Sequence, residues 1–87
     1  MATYTLTVTF LDLETRKDAP SLLTVKLPQG ETMTLEAEPY CRFIDDRQQD
    51  LSPSDFGKRH KGKKVTIDFM EREPEIFVIL ECRSGTA

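Results

Sequence analysis

A run of positive charge from Lys58 to Lys64 is the group of residues most able to bind a charged ligand. Five of its seven residues are lysine or arginine: Lys58, Arg59, Lys61, Lys63 and Lys64. Basic side chains neutralise phosphates, and proteins that bind single-stranded nucleic acid combine them with aromatic rings on which bases stack. Tyr40 and Phe43 are the aromatic residues that no strand or helix pattern assigns to a core. Together these residues form a candidate nucleic-acid site.

The same basic run is also typical of a solvated helix end, where positive side chains suit the negative end of the helix dipole. The whole chain is acidic, with 12 Lys plus Arg against 15 Asp plus Glu and a net charge of -3. Acidic surface repels phosphates and therefore disfavours strong nucleic-acid binding. Nucleic-acid binding is accordingly the alternative function rather than the leading one.

Acidic side chains on the polar faces of the predicted strands and loops form a second candidate binding set. Such residues steer a basic partner protein, for example a nucleic-acid-handling enzyme whose own substrate surface is basic. Exposed strand edges of a small sheet can also pair with an extended segment of another chain. The candidate protein-binding residues are Asp12, Glu14, Glu36, Glu38, Asp45 and Asp46.

Residues suited to catalysis, metal binding or cofactor binding form no recognised pattern. His60 is the only histidine and lies in the lysine-rich run, and no serine or cysteine stands in a nucleophile motif. Asp45 and Asp46 lack the ligand spacing of a calcium loop. Cys41 and Cys82 belong to no CxxC motif, so we expect free thiols in a reducing cytoplasm. The sequence thus predicts a non-enzymatic cytoplasmic protein with no cofactor and no metal.

The elements that must position these residues are mainly strands. Residues 3–10 alternate threonine with large apolar residues, which predicts a strand whose core face carries Tyr4, Leu6, Val8 and Phe10. Apolar runs predict four further strands, over residues 23–27, 33–37, 65–69 and 76–80. A proline–glycine turn at residues 28–31 joins the second strand to the third as a hairpin. Because Pro39 interrupts the third strand, residues 40–44 either continue it or form a separate one.

One short helix of about two turns is predicted within residues 51–62. Ser52 stands at its N-cap, Pro53 at its first position and Asp55 at its third, all of which favour a helix start. Phe56 is placed to anchor the helix in the core. Gly62 can end it in a left-handed conformation, which glycine adopts without strain.

The order of elements, βββαββ, resembles the OB fold, a five-stranded Greek-key barrel that carries its helix between the third and fourth strands. The resemblance is topological, spans residues 3–82 and includes no motif of a particular OB family. It implies a small, mainly β, five-stranded barrel with one short helix. An SH3-like barrel is one alternative, because it also accepts five short strands and one helical turn. A β-grasp fold is the other, because residues 33–39 are similar to the second strand of ubiquitin. The polar residues 45–50 stand where the main helix of that family would follow the hairpin.

The length of 87 residues predicts a single domain over residues 1–87. No apolar run approaches the roughly 18 residues of a membrane span, and we expect neither a span nor a signal peptide. The leading hypothesis is a small binding or regulatory module that acts through protein–protein contacts. Its oligomeric state stays open.

Overall fold

Six strands and one short helix make up the computed structural model, which describes residues 2–85 of the chain. The strands and the helix are β1 (Thr3–Glu14), β2 (Ser21–Lys26), β3 (Thr32–Ile44), β4 (Asp50–Leu51), α1 (Pro53–His60), β5 (Lys64–Glu73) and β6 (Ile76–Ser84). The short strand β4 was not expected from the sequence.

Five strands close into a barrel in the ring order β1–β2–β3–β6–β5, and β4 lies outside the ring against β3. Four neighbouring pairs of the ring are antiparallel, and the pair β3–β6 is parallel. A parallel pair needs a crossover connection, which β4, α1 and β5 supply here. The small barrel with OB-like strand order is therefore confirmed. In the β-grasp alternative the main helix would follow the first hairpin, whereas α1 follows the third strand of the ring.

The first strand takes part in both halves of the barrel. Its residues Thr3 to Thr9 pair with β5, and its residues Thr9 to Glu14 pair with β2. The register towards β2 shifts between Phe10 and Asp12, which marks an irregularity at the change of partner. As a consequence, β2 covers only the second half of β1.

The third strand continues through the interruption at Pro39. Tyr40 and the residues up to Ile44 belong to β3, and the register towards β6 shifts between Ala37 and Arg42. Proline has no N–H to give to the ladder, so a shift in register is the expected result in this segment. Of the two possibilities left open above, the continued, irregular strand is the observed one.

The core fills the barrel, and α1 closes one of its ends. Phe56 is fully buried, with its ring 5.8 Å from that of Phe10 and 5.3 Å from that of Phe43. Ser52 caps the helix, because its Oγ accepts a hydrogen bond from the N–H of Asp55 at 3.2 Å. The predicted helix start and its Phe56 anchor are confirmed.

The expectation that four alternate residues of β1 share the core is half wrong. Val8 and Phe10 are buried, at 0% and 1% exposure, but Tyr4 and Leu6 are 47% and 37% exposed. The physical reason is the length of β2, which does not reach the first residues of β1. Alternation correctly predicts the face on which a side chain lies, but burial of that face also requires a neighbouring element to cover it.

Candidate functional site

The predicted basic residues lie at the end of α1 and in the turn that leads into β5. We call them the basic turn: Lys58, Arg59, Lys61, Lys63 and Lys64, all of them exposed. Gly62 has φ +82°, so the predicted left-handed turn after the helix is confirmed. Arg59 approaches Asp45 at 3.9 Å, whereas the four lysines form no ion pair within residues 2–85. Within that part of the chain their charges have no acidic partner in ion-pair distance.

Side chains of the basic turn line two separate clefts rather than one continuous surface. Lys58 and Lys61 line a cleft beside Leu13 together with Asp12. The other cleft contains Arg59 and Lys63 together with the acidic pair Asp45 and Asp46. Because each cleft includes carboxylates, neither has the uniform positive lining that binds a phosphate backbone strongly.

The two aromatic candidates do not form a platform for stacked bases. Phe43 is only 2% exposed and packs against Phe56, so its ring is not accessible to a base as the nucleic-acid assignment requires. Its position facing the helix in the closed end of the barrel explains the burial. Tyr40 is 63% exposed on β3 and is the only one of the two whose ring a base can reach. The other exposed tyrosine, Tyr4, lies on β1 and was not a candidate.

Two acidic candidates on β3, Glu36 and Glu38, form ion pairs with one arginine of β5. Arg72 of β5 binds Glu36 at 2.8 Å and Glu38 at 3.1 Å. The hydrogen bonds that Arg72 donates to the two carboxylates, the one to Glu38 above all, raise the pKa of Arg72. Glu36 and Glu38 consequently have less charge to offer a basic partner than the sequence suggested.

Asp45 stabilises the turn between β3 and β4 rather than presenting a free carboxylate. It is 6% exposed, and its Oδ1 accepts hydrogen bonds from the N–H groups of Gln49 and Arg47, both at 2.9 Å. These bonds, the one from Gln49 most strongly, lower the pKa of Asp45 against the opposing effect of desolvation. The predicted role of Asp45 as a protein-contacting residue therefore has no support from its geometry, because the carboxylate is buried and already has backbone partners.

The remaining acidic candidates are Asp12, Glu14 and Asp46, which are exposed and form no ion pair within residues 2–85. Asp12 lies in the cleft with Lys58, and Asp46 lies in the cleft with Arg59. The six acidic candidates thus do not converge on one patch.

A chain of ion pairs that sequence reasoning missed runs across the outer surface from β4 to β5. Arg42 lies 3.1 Å from Asp50 and 3.9 Å from Glu81. Arg83 in turn binds Glu81 at 2.6 Å and Asp68 at 2.5 Å. Sequence separation gave no signal for these pairs, since only the strand register brings the residues together.

The last acid in this chain of ion pairs also contacts β1. The hydroxyl of Thr5 donates a hydrogen bond to Asp68 at 2.6 Å. The hydrogen bonds from Arg83 and, to a smaller degree, from Thr5 lower the pKa of Asp68 against desolvation. Bonds to Asp68 and then Glu81 raise the pKa of Arg83. The carboxylate that contacts the first half of β1 is therefore paired with a positive charge of the same molecule.

His60 is a structural residue, although it lies in the basic run. It is 6% exposed and its ring stacks on Phe56 at a centroid distance of 3.9 Å. Nδ1 lies 2.9 Å from the backbone oxygen of Phe56, and Nε2 lies 2.9 Å from Oγ of Ser84. Because both ring nitrogens have partners, the imidazole is not presented to a substrate.

The two cysteines are free thiols in the structure. Burial, helped by the charge of Glu81, raises the pKa of Cys41 to about 12, and burial likewise raises the pKa of Cys82. A thiol with a raised pKa is a poor nucleophile at neutral pH. Within residues 2–85, no group of three or more His, Cys, Asp or Glu side chains is arranged to hold a metal ion.

The first half of β1 has one unpaired backbone edge, which we call the β1 edge (Thr3–Leu6). The N–H of Phe10 donates to the oxygen of Lys63 at 2.9 Å, and the N–H of Gly62 donates to the oxygen of Phe10 at 2.7 Å. The backbone groups of Phe10 therefore face β5. Since these directions alternate along a strand, those of Thr3 and Thr5 face away from β5. On that side no strand of residues 2–85 pairs with the β1 edge.

The chemistry of the β1 edge differs from that of the other strand ends. Residues 3–10 contain no charged residue, no proline and no glycine. The far end of β5 carries Glu71, Arg72 and Glu73, and β4 carries Asp50. Charges and prolines on an edge protect it from pairing with other chains. The β1 edge lacks this protection, and its side chains Tyr4 and Leu6 are exposed.

No helix in residues 2–85 is long and apolar enough to cross a membrane. No protein-family model, no curated protein and no solved structure matches the chain.

Proposed function

We propose that this protein is a non-enzymatic, cytoplasmic binding module that pairs with an extended segment of another polypeptide chain at the β1 edge. The observation that carries the proposal is an uncharged strand edge that no strand within residues 2–85 pairs with. An extended segment added to such an edge gains main-chain hydrogen bonds, and alternate side chains supply its specificity.

Backbone and side chains both contribute to the proposed contact. The N–H and C=O groups of Thr3 and Thr5 supply the hydrogen bonds, because they face the open side of β1. Tyr4 and Leu6 supply apolar area, and the Tyr4 ring is already supported by Phe69 at 5.5 Å. A ring that is held in place loses little conformational entropy when it binds, which favours Tyr4 as the principal side-chain contact.

The remaining free carboxylates bear on the choice of partner. The chain as a whole has a net charge of -3, and its free, exposed carboxylates include Asp12, Glu14 and Asp46. This negative charge favours approach by a basic protein. A nucleic-acid-handling enzyme is the partner class with such a surface, and binding there would be regulatory.

A selection of peptides tests the proposal directly. Random peptides of about nine residues are displayed and selected against the wild-type protein. Binders are then measured against Thr5→Pro and against its matched control Thr5→Ala. Both variants lose the hydroxyl that binds Asp68, but only proline also removes the N–H that faces the open side.

We expect selected peptides to bind Thr5→Ala nearly as well as the wild type and to bind Thr5→Pro at least about tenfold more weakly. Peptides that bind all three proteins equally would show that the site lies elsewhere. A selection that yields no binder would contradict the proposal.

A second candidate function, single-stranded nucleic-acid binding, is favoured by one observation: the four lysines of the basic turn form no ion pair within residues 2–85. Its test is titration of fluorescent single-stranded DNA and RNA at low and moderate salt. Lys63→Glu with Lys64→Glu is compared with Lys17→Glu and Lys26→Glu, which make the same charge change outside the basic turn.

Under the leading proposal, no binding is expected at micromolar protein. Salt-sensitive binding that the first double variant abolishes and the second retains would instead establish the nucleic-acid function.

A further inference from the structure

We infer that the strand which pairs with the β1 edge is the same edge of a second copy of this chain, in a two-fold symmetric dimer. This inference rests on the proposed function, because it names the partner of that same edge. A two-fold interface needs a surface that is complementary to itself, and two identical strands in antiparallel orientation provide one.

The direction of the backbone groups restricts the register of the dimer. In an antiparallel pair, the residues that exchange hydrogen bonds must all face the shared edge. On the β1 edge these residues are Thr3 and Thr5. Of the registers that use only residues of the β1 edge, the one that pairs Thr3 of one copy with Thr5 of the other forms two hydrogen-bonded pairs related by symmetry, and we infer this one. Tyr4 then lies on the two-fold axis, opposite Tyr4 of the second copy.

The pattern of side chains fits this register. Threonines alternate with Tyr4 and Leu6, so in the proposed pair threonines lie opposite threonines on one face. On the other face Tyr4 lies opposite Tyr4, and Leu6 lies opposite Ala2. No charged side chain enters the paired segment. A strand with period two and no charge is the segment that such an edge accepts best, and β1 itself has both properties.

The surrounding charges also permit the pairing. Asp68 is the acidic residue bound to the edge, and its carboxylate is held by Arg83 at 2.5 Å and by Thr5 at 2.6 Å. The net charge of -3 is consequently not concentrated at the axis. Other open strand ends carry Glu71, Glu73 or Asp50, and two copies pairing there would bring like charges together.

The dimer is weak, since so short a pairing buries much less than the roughly 1,200 Å² of a stable interface. Sedimentation equilibrium from about 10 μM to about 1 mM covers the range of dissociation constants expected for such a contact. The weight-average mass of the wild type should rise from 10.0 kDa towards about twice that value.

Two substitutions at Thr5 make the sedimentation experiment specific. Thr5→Ala should dimerise within about threefold of the wild type, and Thr5→Pro should stay monomeric over the same range. Because the N–H of Thr5 faces away from β5, proline removes no backbone hydrogen bond of the barrel, and both variants lose the same hydroxyl bond to Asp68. Thermal unfolding checks that each variant is folded. A monomeric wild type, or a dimer that Thr5→Pro leaves intact, overturns the inference.

A disulfide test examines the two-fold axis itself. The Cα atoms of a non-hydrogen-bonded antiparallel pair lie about 4.5 Å apart, within the range of about 4.4–6.8 Å that a disulfide spans. Tyr4→Cys should therefore form a covalent dimer under mild oxidation. Tyr40→Cys places a thiol at the more exposed tyrosine, and the wild type controls for Cys41 and Cys82. Equal rates of dimer formation for Tyr4→Cys and Tyr40→Cys would overturn the inferred register.

The failure of this inference is distinguishable from the failure of the proposed function. A wild type that stays monomeric and still captures selected peptides through Thr5 overturns the dimer and leaves the binding function in place. Dimerisation at the β1 edge, with no selected peptide bound, supports the second copy as the specific partner and removes a general peptide-binding role.

Discussion

Phe56 joins the helix to the barrel through a set of ring contacts. Its ring packs between Phe10 and Phe43 on the barrel side and stacks on His60 within the helix. None of its surface is exposed. Loss of this ring would leave a cavity under the helix, and the neighbouring aromatic rings are too rigid to fill it.

Phe56→Ala should lower the free energy of unfolding by about 3–5 kcal/mol, which is the usual loss for a buried phenylalanine. Urea denaturation followed by circular dichroism measures this loss. Phe56→Leu is the matched control and should cost less, because most of the apolar volume is retained. Equal losses for the two variants would mean that the helix is not anchored through this ring.

Asp45 should make stability depend on acid pH. Its folded-state pKa is lowered, mainly by the N–H of Gln49, so the charged form favours the folded state. The contribution is complete above the unfolded carboxyl pKa of about 3.9 and is lost as the pH falls through the lower folded value. Asp45→Asn removes the titration and keeps an acceptor oxygen.

Urea unfolding of the wild type and of Asp45→Asn from about pH 7 to about pH 2 provides the measurement. The stability difference between the two should be constant near neutral pH and should shrink below about pH 4. A difference that does not change with pH would contradict the assignment of the two backbone hydrogen bonds.

The sequence predicts side-chain direction better than side-chain burial. Alternation places Tyr4 and Leu6 on the same face as Val8, yet only Val8 is covered. Asp45 and His60 lie in strongly polar segments of the sequence, for which exposure is expected, and both are nevertheless buried. Asp45 is held by the backbone N–H groups of Arg47 and Gln49, and His60 is held by the hydroxyl of Ser84. Neither hydrophobic periodicity nor secondary-structure propensity predicts such contacts.

At the scale of elements, one glycine within the helix and one just after it should respond to substitution in opposite directions. A Cβ on Gly57 would lie 3.6 Å from Leu13 Cβ and 3.6 Å from Phe10 Cζ, which are ordinary contacts. Gly57→Ala should stabilise the protein by about 0.5–1 kcal/mol through helix propensity. Gly62→Ala should destabilise it by about 1 kcal/mol, because φ is +82° there.

Thermal and urea unfolding of the two glycine variants make a paired experiment. The change in composition is identical, so only the backbone conformation and the local space distinguish the variants. Destabilisation by Gly57→Ala would show that the space beside Leu13 and Phe10 is tighter than the distances indicate.

Hydrogen exchange should alternate along the first half of β1. The N–H groups of Leu6 and Val8 face β5, whereas that of Thr5 faces the open side. In dilute solution we expect Thr5 to exchange at least about tenfold faster than Leu6 and Val8. Residue-resolved NMR exchange measures the three rates. Equal protection of Thr5 and Leu6 at low concentration would show that this edge is covered.

The sequence predicted five of the six strands, the helix with its caps and the order of elements, because propensity, turn chemistry and alternation are local properties. It could not predict β4, whose two residues form a strand only by pairing with Phe43 and Ile44. It also could not predict the unpaired edge, since that depends on where β2 ends relative to β1. Register is a property of the assembled barrel, and no single segment encodes it.

At the scale of the whole molecule, arginines and lysines have different roles. Arg42, Arg72 and Arg83 each bind two carboxylates and connect strands across the outer surface. The lysines of the basic turn bind none within residues 2–85. Arginine offers donors in a fixed planar arrangement that suits two acceptors, whereas the lysine charge is compact and strongly hydrated.

This difference predicts unequal effects of removing one positive charge. Arg83→Gln should lower the free energy of unfolding by about 1 kcal/mol, because two partly exposed ion pairs are lost. Lys61→Gln should change it by less than about 0.5 kcal/mol. The Arg83 effect should weaken in high salt, which urea unfolding at two ionic strengths would reveal. A larger loss for Lys61→Gln would point to a contact that this lysine makes.

The two described ends of the chain lie at opposite ends of β5. Their separation determines where a label can be attached without covering the β1 edge. Thr3 pairs with Met70, whereas the N–H of Gly85 donates to the oxygen of Lys64 at 3.1 Å. Lys64 and Met70 are about 20 Å apart along the strand. A fluorophore or affinity tag fused before Thr3 would lie against the β1 edge and hinder its pairing. The same label fused beyond Gly85 would emerge beside the basic turn and leave that edge accessible.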